Sequence, residues 1–121
     1  MDSVQITTAF IPVADPAVSA RWYSRSLGLR VHSVDERSAV LHAGGSPGSM
    51  SLTLLGPASG IQAKPGLAWA TCNFAVADLS RTRSDLHKLG CETSAIEGAP
   101  EICLFFTLHD PDGNTLLITD R

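Results

Sequence analysis

At 121 residues, 44% of them hydrophobic and 17% charged, the chain has the size and composition of one globular domain, large enough to build a core without disulfides or a structural metal. Its 9 Lys and Arg stand against 12 Asp and Glu, a formal net charge of -3 with no run of like charge, which excludes the clustered cations of a nucleic-acid interface. Aromatic residues, at 6%, are too few for a base-stacking platform, and no apolar stretch reaches the roughly 20 residues of a membrane span.

Met1-Asp2-Ser3 lacks the basic start and apolar run of a signal peptide, so a cytoplasmic protein is expected. An alternating apolar segment, Thr8-Ala9-Phe10-Ile11-Pro12-Val13, then leads into Ala14-Asp15, and Asp15 is suited to cap a helix with Pro16 in its first turn. Ala20, Tyr23 and Leu27 give that helix one buried stripe, and Gly28 closes it. Period-two segments follow at Leu29–Val34, Ser38–Ala43 and Met50–Leu55 and predict three strands, with a turn over Gly44–Gly48. Those glycines follow no phosphate-cradling spacing.

Pro57–Gly66 reads as a linker, after which the same order returns. Thr71-Cys72-Asn73-Phe74-Ala75-Val76-Ala77-Asp78 echoes Thr8 to Asp15, Asp78 caps a second helix, and Leu89-Gly90 matches Leu27-Gly28. In that helix Leu79, Thr82, Leu86 and Leu89 form the buried stripe, with Arg81, Arg83, Asp85 and Lys88 outside. Strands are predicted at Cys91–Ile96, Ile102–Leu108 and Thr115–Thr119, the last two joined by an Asp110-Pro111-Asp112-Gly113-Asn114 turn. The chain is thus an α+β protein of two tandem βαβββ units, residues 1–56 and 67–121, within a single domain. Cys72, Cys91 and Cys103 are odd in number and form no CxxC pair, which points to buried thiols rather than disulfides, a zinc clip or a reactive nucleophile.

Two βαβββ units, the Val-Ala-Asp caps, the Trp22-Tyr23 helix with its Leu27-Gly28 stop and the DPDGN hairpin before the last strand together resemble the vicinal oxygen chelate superfamily. That group includes glyoxalases, extradiol dioxygenases, fosfomycin-modifying enzymes and bleomycin-resistance proteins. The resemblance implies two curved half-barrel sheets around a cleft and a homodimer, the halves pairing within one chain or swapped across protomers. It also implies a divalent metal held by His or Glu on the first and fourth strands of each unit. In this chain those positions fall on Thr8, Thr53, Thr71 and Leu117, none of them a metal ligand. No metal or other cofactor is therefore expected.

Strand alternation sketches what would line the cleft. With Thr8 inward, Phe10 and Pro12 follow, while Ile11 and Val13 pack under a helix. Ser51 and Leu55 lie beside Thr53, Trp69 and Asn73 beside Thr71, and Thr115 and Thr119 beside Leu117. Cys103, Phe105 and Thr107 point to the cleft and Ile102, Leu104, Phe106 and Leu108 to the core. Of the histidines only His42 has inward parity; His32 and His87 are expected outward and His109 at the turn. The glutamates fall near strand ends or in loops, and no nucleophile elbow or Cys/His signature is present.

The cleft is thus expected to bind a small molecule through Phe10, His42, Thr53, Trp69, Thr71, Asn73, Phe105 and Thr107, without catalytic residues. An antibiotic sequestered as in the bleomycin-resistance branch is the leading ligand. The alternative is a lyase, an isomerase or a dioxygenase-related enzyme with a relocated site, in which His42 would be the base and Cys103 a weaker candidate.

Overall fold

The helix starts are set locally, by aspartate side chains that take up free backbone N–H groups. Asp15 sits in extended backbone, and its carboxylate accepts hydrogen bonds from Ala17 N at 3.0 Å and Val18 N at 3.4 Å, with Pro16 in the first turn. Asp78 does the same for the second helix, accepting from Arg81 N at 3.0 Å. Gly28 then ends the first helix in the left-handed region, at φ 70°, where its N–H reaches Ser24 O.

The computed structural model describes residues 3–43 and 50–121, so the turn expected over Gly44–Gly48 lies outside the described residues. The described elements run β1 (Thr8–Pro12), α1 (Pro16–Leu27), β2 (Arg30–Val34), β3 (Ser38–His42), β4 (Ser51–Leu55), β5 (Asn73–Ala75), α2 (Leu79–Lys88), β6 (Glu97–Ala99), β7 (Cys103–His109) and β8 (Thr115–Thr119). A single 3-10 turn, Pro57–Ser59, lies within the expected linker. The chain divides into two compact units, residues 1–65 and 66–121.

In the first unit the sheet order is β1-β4-β3-β2, with β1 and β4 parallel and the other pairs antiparallel. One face is apolar: Ile11, Ala39, Leu41, Leu52 and Leu54 are buried together with Ala20 and Tyr23 of α1. Removing these side chains from water contributes roughly 1.5–3 kcal/mol for each large one, which is what holds α1 against the sheet. In the second unit the order β5-β8-β7-β6 repeats that arrangement, and Phe106, Leu108, Leu116 and Ile118 are buried with Leu79 and Leu86 of α2. No helix among the described residues is long and apolar enough to cross a membrane.

The second unit departs from the alternation pattern in three places. The strand expected over Cys91–Ile96 is reduced to a single bridge, Thr93 to Leu108, and the strand proper falls at Glu97–Ala99. The cause is side-chain competition for the ladder. Ser94 Oγ accepts from Thr107 N at 2.9 Å, while Arg83, expected to be solvated, turns inward and donates from Nε to Thr93 Oγ1 and to Ser94 O. Ile102 is not in the core: it closes a turn onto Ala99 O and is 72% exposed. Leu89, expected in the buried stripe, is instead the exposed cap residue at the end of α2.

Candidate functional site

The sheet of the first unit keeps most of its apolar residues on the helix side, which leaves hydroxyls, an imidazole, a guanidinium, Val40 and one aromatic ring in the central rows of the other. Across that open face one row of cross-strand partners reads Thr8, Ser51, His42, Arg30, and the next reads Phe10, Thr53, Val40, Ser33. Thr8 and Thr53 share a hydrogen bond at 2.7 Å between their Oγ1 atoms, and Thr8 Oγ1 also donates to Ser51 O at 3.1 Å. Phe10 stands beside them and is 53% exposed.

His32 is exposed, as expected, but it does not point away from this face. Arg30 pairs with His42, so alternation along β2 puts His32 on the open side, and a slip in register between Val31 and Ser33 brings Ser33 there as well. The His32 ring accordingly lies edge-on to that of His42, with centroids 5.0 Å apart and planes at 79°.

In the second unit the open face carries the row Asn73, Leu117, Thr107 and, beside it, Ala75, Thr119, Phe105, Glu97. Asn73 Nδ2 donates to Thr119 Oγ1 at 3.1 Å, which fixes the amide across the β5–β8 pair. Phe105 and Thr107 are half-buried on this face. Trp69 and Thr71 are not brought into the row. Both precede β5 in irregular chain and are exposed, Trp69 by 78%, so alternation does not govern them.

The residues at the four positions where the superfamily resemblance places metal ligands do not suit an ion. Thr8 and Thr53 spend their hydroxyls on each other, Thr71 lies outside the strand, and Leu117 offers no donor atom. Among the described residues no group of three or more His, Cys, Asp and Glu gathers that could hold a metal. The three cysteines are free and half-buried, and burial pushes the Cys72 thiol up. His87 Nε2 is 2.7 Å from Thr93 Oγ1, and His109 is exposed at the end of β7.

The DPDGN segment is a buried clamp as well as a turn. The Asp110 carboxylate accepts from Asp112 N, Asn114 N and Asn114 Nδ2, each at 2.9 Å. Asn114 Oδ1 then accepts from Gly66 N and Leu67 N, both at 2.9 Å, and so ties the chain entering the second unit to the β7–β8 turn. An Asp and an Asn four residues apart around a glycine are the only sign of this in the sequence.

Two four-stranded mixed sheets, each with one helix inserted after its first strand, define an α+β protein of the two-unit glyoxalase and bleomycin-resistance fold. Residues 7–119 match the family model described as the Glyoxalase-like domain, and the chain belongs to that family. Among solved structures it is similar to a member of the glyoxalase/bleomycin resistance protein/dioxygenase superfamily from Sphaerobacter thermophilus, with a TM-score of 0.80 at 20% identity over 97% of each chain. It is also similar to a bleomycin resistance determinant encoded on transposon Tn5 (TM-score 0.71, 20% identity, 98% of each chain). A lactoylglutathione lyase from Agrobacterium tumefaciens gives a TM-score of 0.76 at 14% identity, over 98% of this chain and 94% of the other. At these identities the likeness is one of fold. Among curated proteins none matches the chain.

Proposed function

We propose that the protein binds a planar or amphipathic small molecule without using a metal, sequestering an antibiotic or related natural product as a cytoplasmic homodimer. The observation that carries this reading is the Thr8–Thr53 hydroxyl pair at 2.7 Å, where metal-dependent relatives would need ligating nitrogens or carboxylates. Around it the open face offers what a ligand pocket uses, apolar surface with a few oriented polar groups. Phe10 is an exposed ring on that face, and in the second unit Phe105 and Trp69 supply rings and Asn73 and Thr107 polar atoms. His42 adds an imidazole within the Thr8 row. The fold likeness to a bleomycin resistance determinant supports an antibiotic as ligand class.

Isothermal titration of the protein with bleomycin-type glycopeptides, enediynes and anthraquinones tests the reading. One of these compounds is expected to bind, and Phe10→Ala to weaken it about tenfold, since a stacked ring contributes roughly 0.5–1.5 kcal/mol beyond area burial. No heat with any compound, or equal affinity after Phe10→Ala, removes its support. Light scattering measures the homodimer.

A further inference from the structure

We propose that His32 and His42 form a two-imidazole site for a divalent first-row transition ion, at the β2–β3 edge of the first sheet. The inference does not rest on the small-molecule reading and fails or stands apart from it, although His42 belongs to both. The site is also not the position that the superfamily resemblance assigns to a metal. His42 is separated from Thr8 by strand β4, with Ser51 between them in the row.

Two observations carry it. The first is the pairing of Arg30 with His42, which by alternation along β2 puts His32, two residues on from Arg30, on the same face as His42. The slip in register between Val31 and Ser33 adds one residue beside His32 and carries Ser33 to that face as well. The second is the spacing of the rings. A Zn–N bond of about 2.0–2.1 Å sets an imidazole centroid about 3.2 Å from the ion, and two such rings at a tetrahedral angle then lie about 5 Å apart. The observed separation is 5.0 Å.

The rings are nearly perpendicular, so one of them turns about its soft χ2 torsion to aim both nitrogens at a shared point. His32 is exposed and His42 half-buried, which leaves the remaining coordination positions to water. Imidazole donors suit zinc, nickel and copper and are poor ligands for magnesium, which prefers oxygen. The Arg30 guanidinium, opposite His42 in the ladder, opposes the ion's charge and favours a modest affinity over a tight one.

The test is calorimetric titration of the untagged full chain with zinc chloride and nickel chloride, with magnesium chloride as the contrasting ion. Wild type is expected to take up one ion per chain and to release no heat with magnesium. His32→Gln and His42→Gln, both substitutions at accessible strand positions, should each weaken zinc by about tenfold or more, because the second donor acts at high effective concentration. His109→Gln should bind as wild type does. Long-range proton–nitrogen spectra should show both imidazoles shifting as zinc is added. The proposal is overturned if wild type takes up neither ion, if only one of the two substitutions matters, or if His109→Gln alone abolishes binding.

Discussion

Replacing Asn114 by alanine removes the buried link between the chain entering the second unit and the β7–β8 turn. The side chain is fully buried, accepts from Gly66 N and Leu67 N, and donates to Asp110 Oδ2, all at 2.9 Å. Truncation leaves a carboxylate oxygen short of a donor and two backbone N–H groups short of an acceptor. Each such group, if kept from water, costs about 1–3 kcal/mol. Gly66 is exposed and Leu67 half-exposed, so water replaces part of what they lose, and the sum comes to about 3–5 kcal/mol. With a urea slope of about 1.5 kcal/mol/M for a chain of this size, the unfolding midpoint should fall by about 2 M or more. Asn114→Asp keeps the acceptor for Gly66 and Leu67 but sets a second carboxylate against Asp110, and should be similarly costly. Urea unfolding followed by circular dichroism measures both. A midpoint within about 0.5 M of wild type for Asn114→Ala would refute the clamp.

Two further perturbations test the turns. Asp35 accepts from Arg37 N at 2.7 Å and Ser38 N at 3.0 Å in the β2–β3 turn; these bonds, with the Arg37 charge, hold its carboxyl below the usual carboxylate range. A carboxyl depressed in the folded state stabilises above its unfolded pKa and loses that contribution as pH falls through the folded value. Asp35→Asn should therefore be less stable than wild type at neutral pH, with the gap closing on acidification; a gap independent of pH would contradict this. Gly98 sits at φ 100°, and a Cβ there would run into the Cys103 carbonyl oxygen across the β6–β7 pair. Gly98→Ala should cost about 2–3 kcal/mol and lower the melting temperature by about 10 °C. At Gly60, also at positive φ but with open space around it, alanine should cost only about 1–2 kcal/mol. Equal melting temperatures for the two variants would show that the collision is relieved.

What could be read from the sequence is what is decided within a few residues. The caps at Asp15 and Asp78, the stop at Gly28, the buried stripe of Ala20 and Tyr23, and the alternation that buries Ile11, Leu52 and Leu54 all depend on local spacing. The strand expected over Cys91–Ile96 depended on more. Its backbone competes with Ser94 Oγ and with the Arg83 guanidinium from α2, and that competition has no trace in hydrophobic period. Ile102 is apolar and in phase with Leu104, yet the Ala99–Ile102 turn takes it out of the strand before alternation can act.

The same distinction explains the candidate site. Thr8, Phe10, Thr53 and His42 share a face because β1, β4 and β3 pair without interruption, so parity carries from one strand to the next. Trp69 and Thr71 leave the pattern because the segment before β5 is held by other bonds: Asn114 Oδ1 takes Gly66 and Leu67, and Thr115 Oγ1 donates to Ala68 O. His32, expected outward, shares the face of His42 because β2 pairs in the register Arg30 to His42, which the composition of the strand does not announce; the extra residue in β2 changes the parity of Ser33. The consequence for function is direct. Thr8 and Thr53 occupy ladder positions to which the superfamily resemblance assigns metal ligands, and they satisfy each other there. The paired imidazoles of His32 and His42 stand instead toward the opposite edge of the sheet, on the same open face. A fold match transfers positions; the side chains at those positions, and any slip in register, decide which chemistry comes with them.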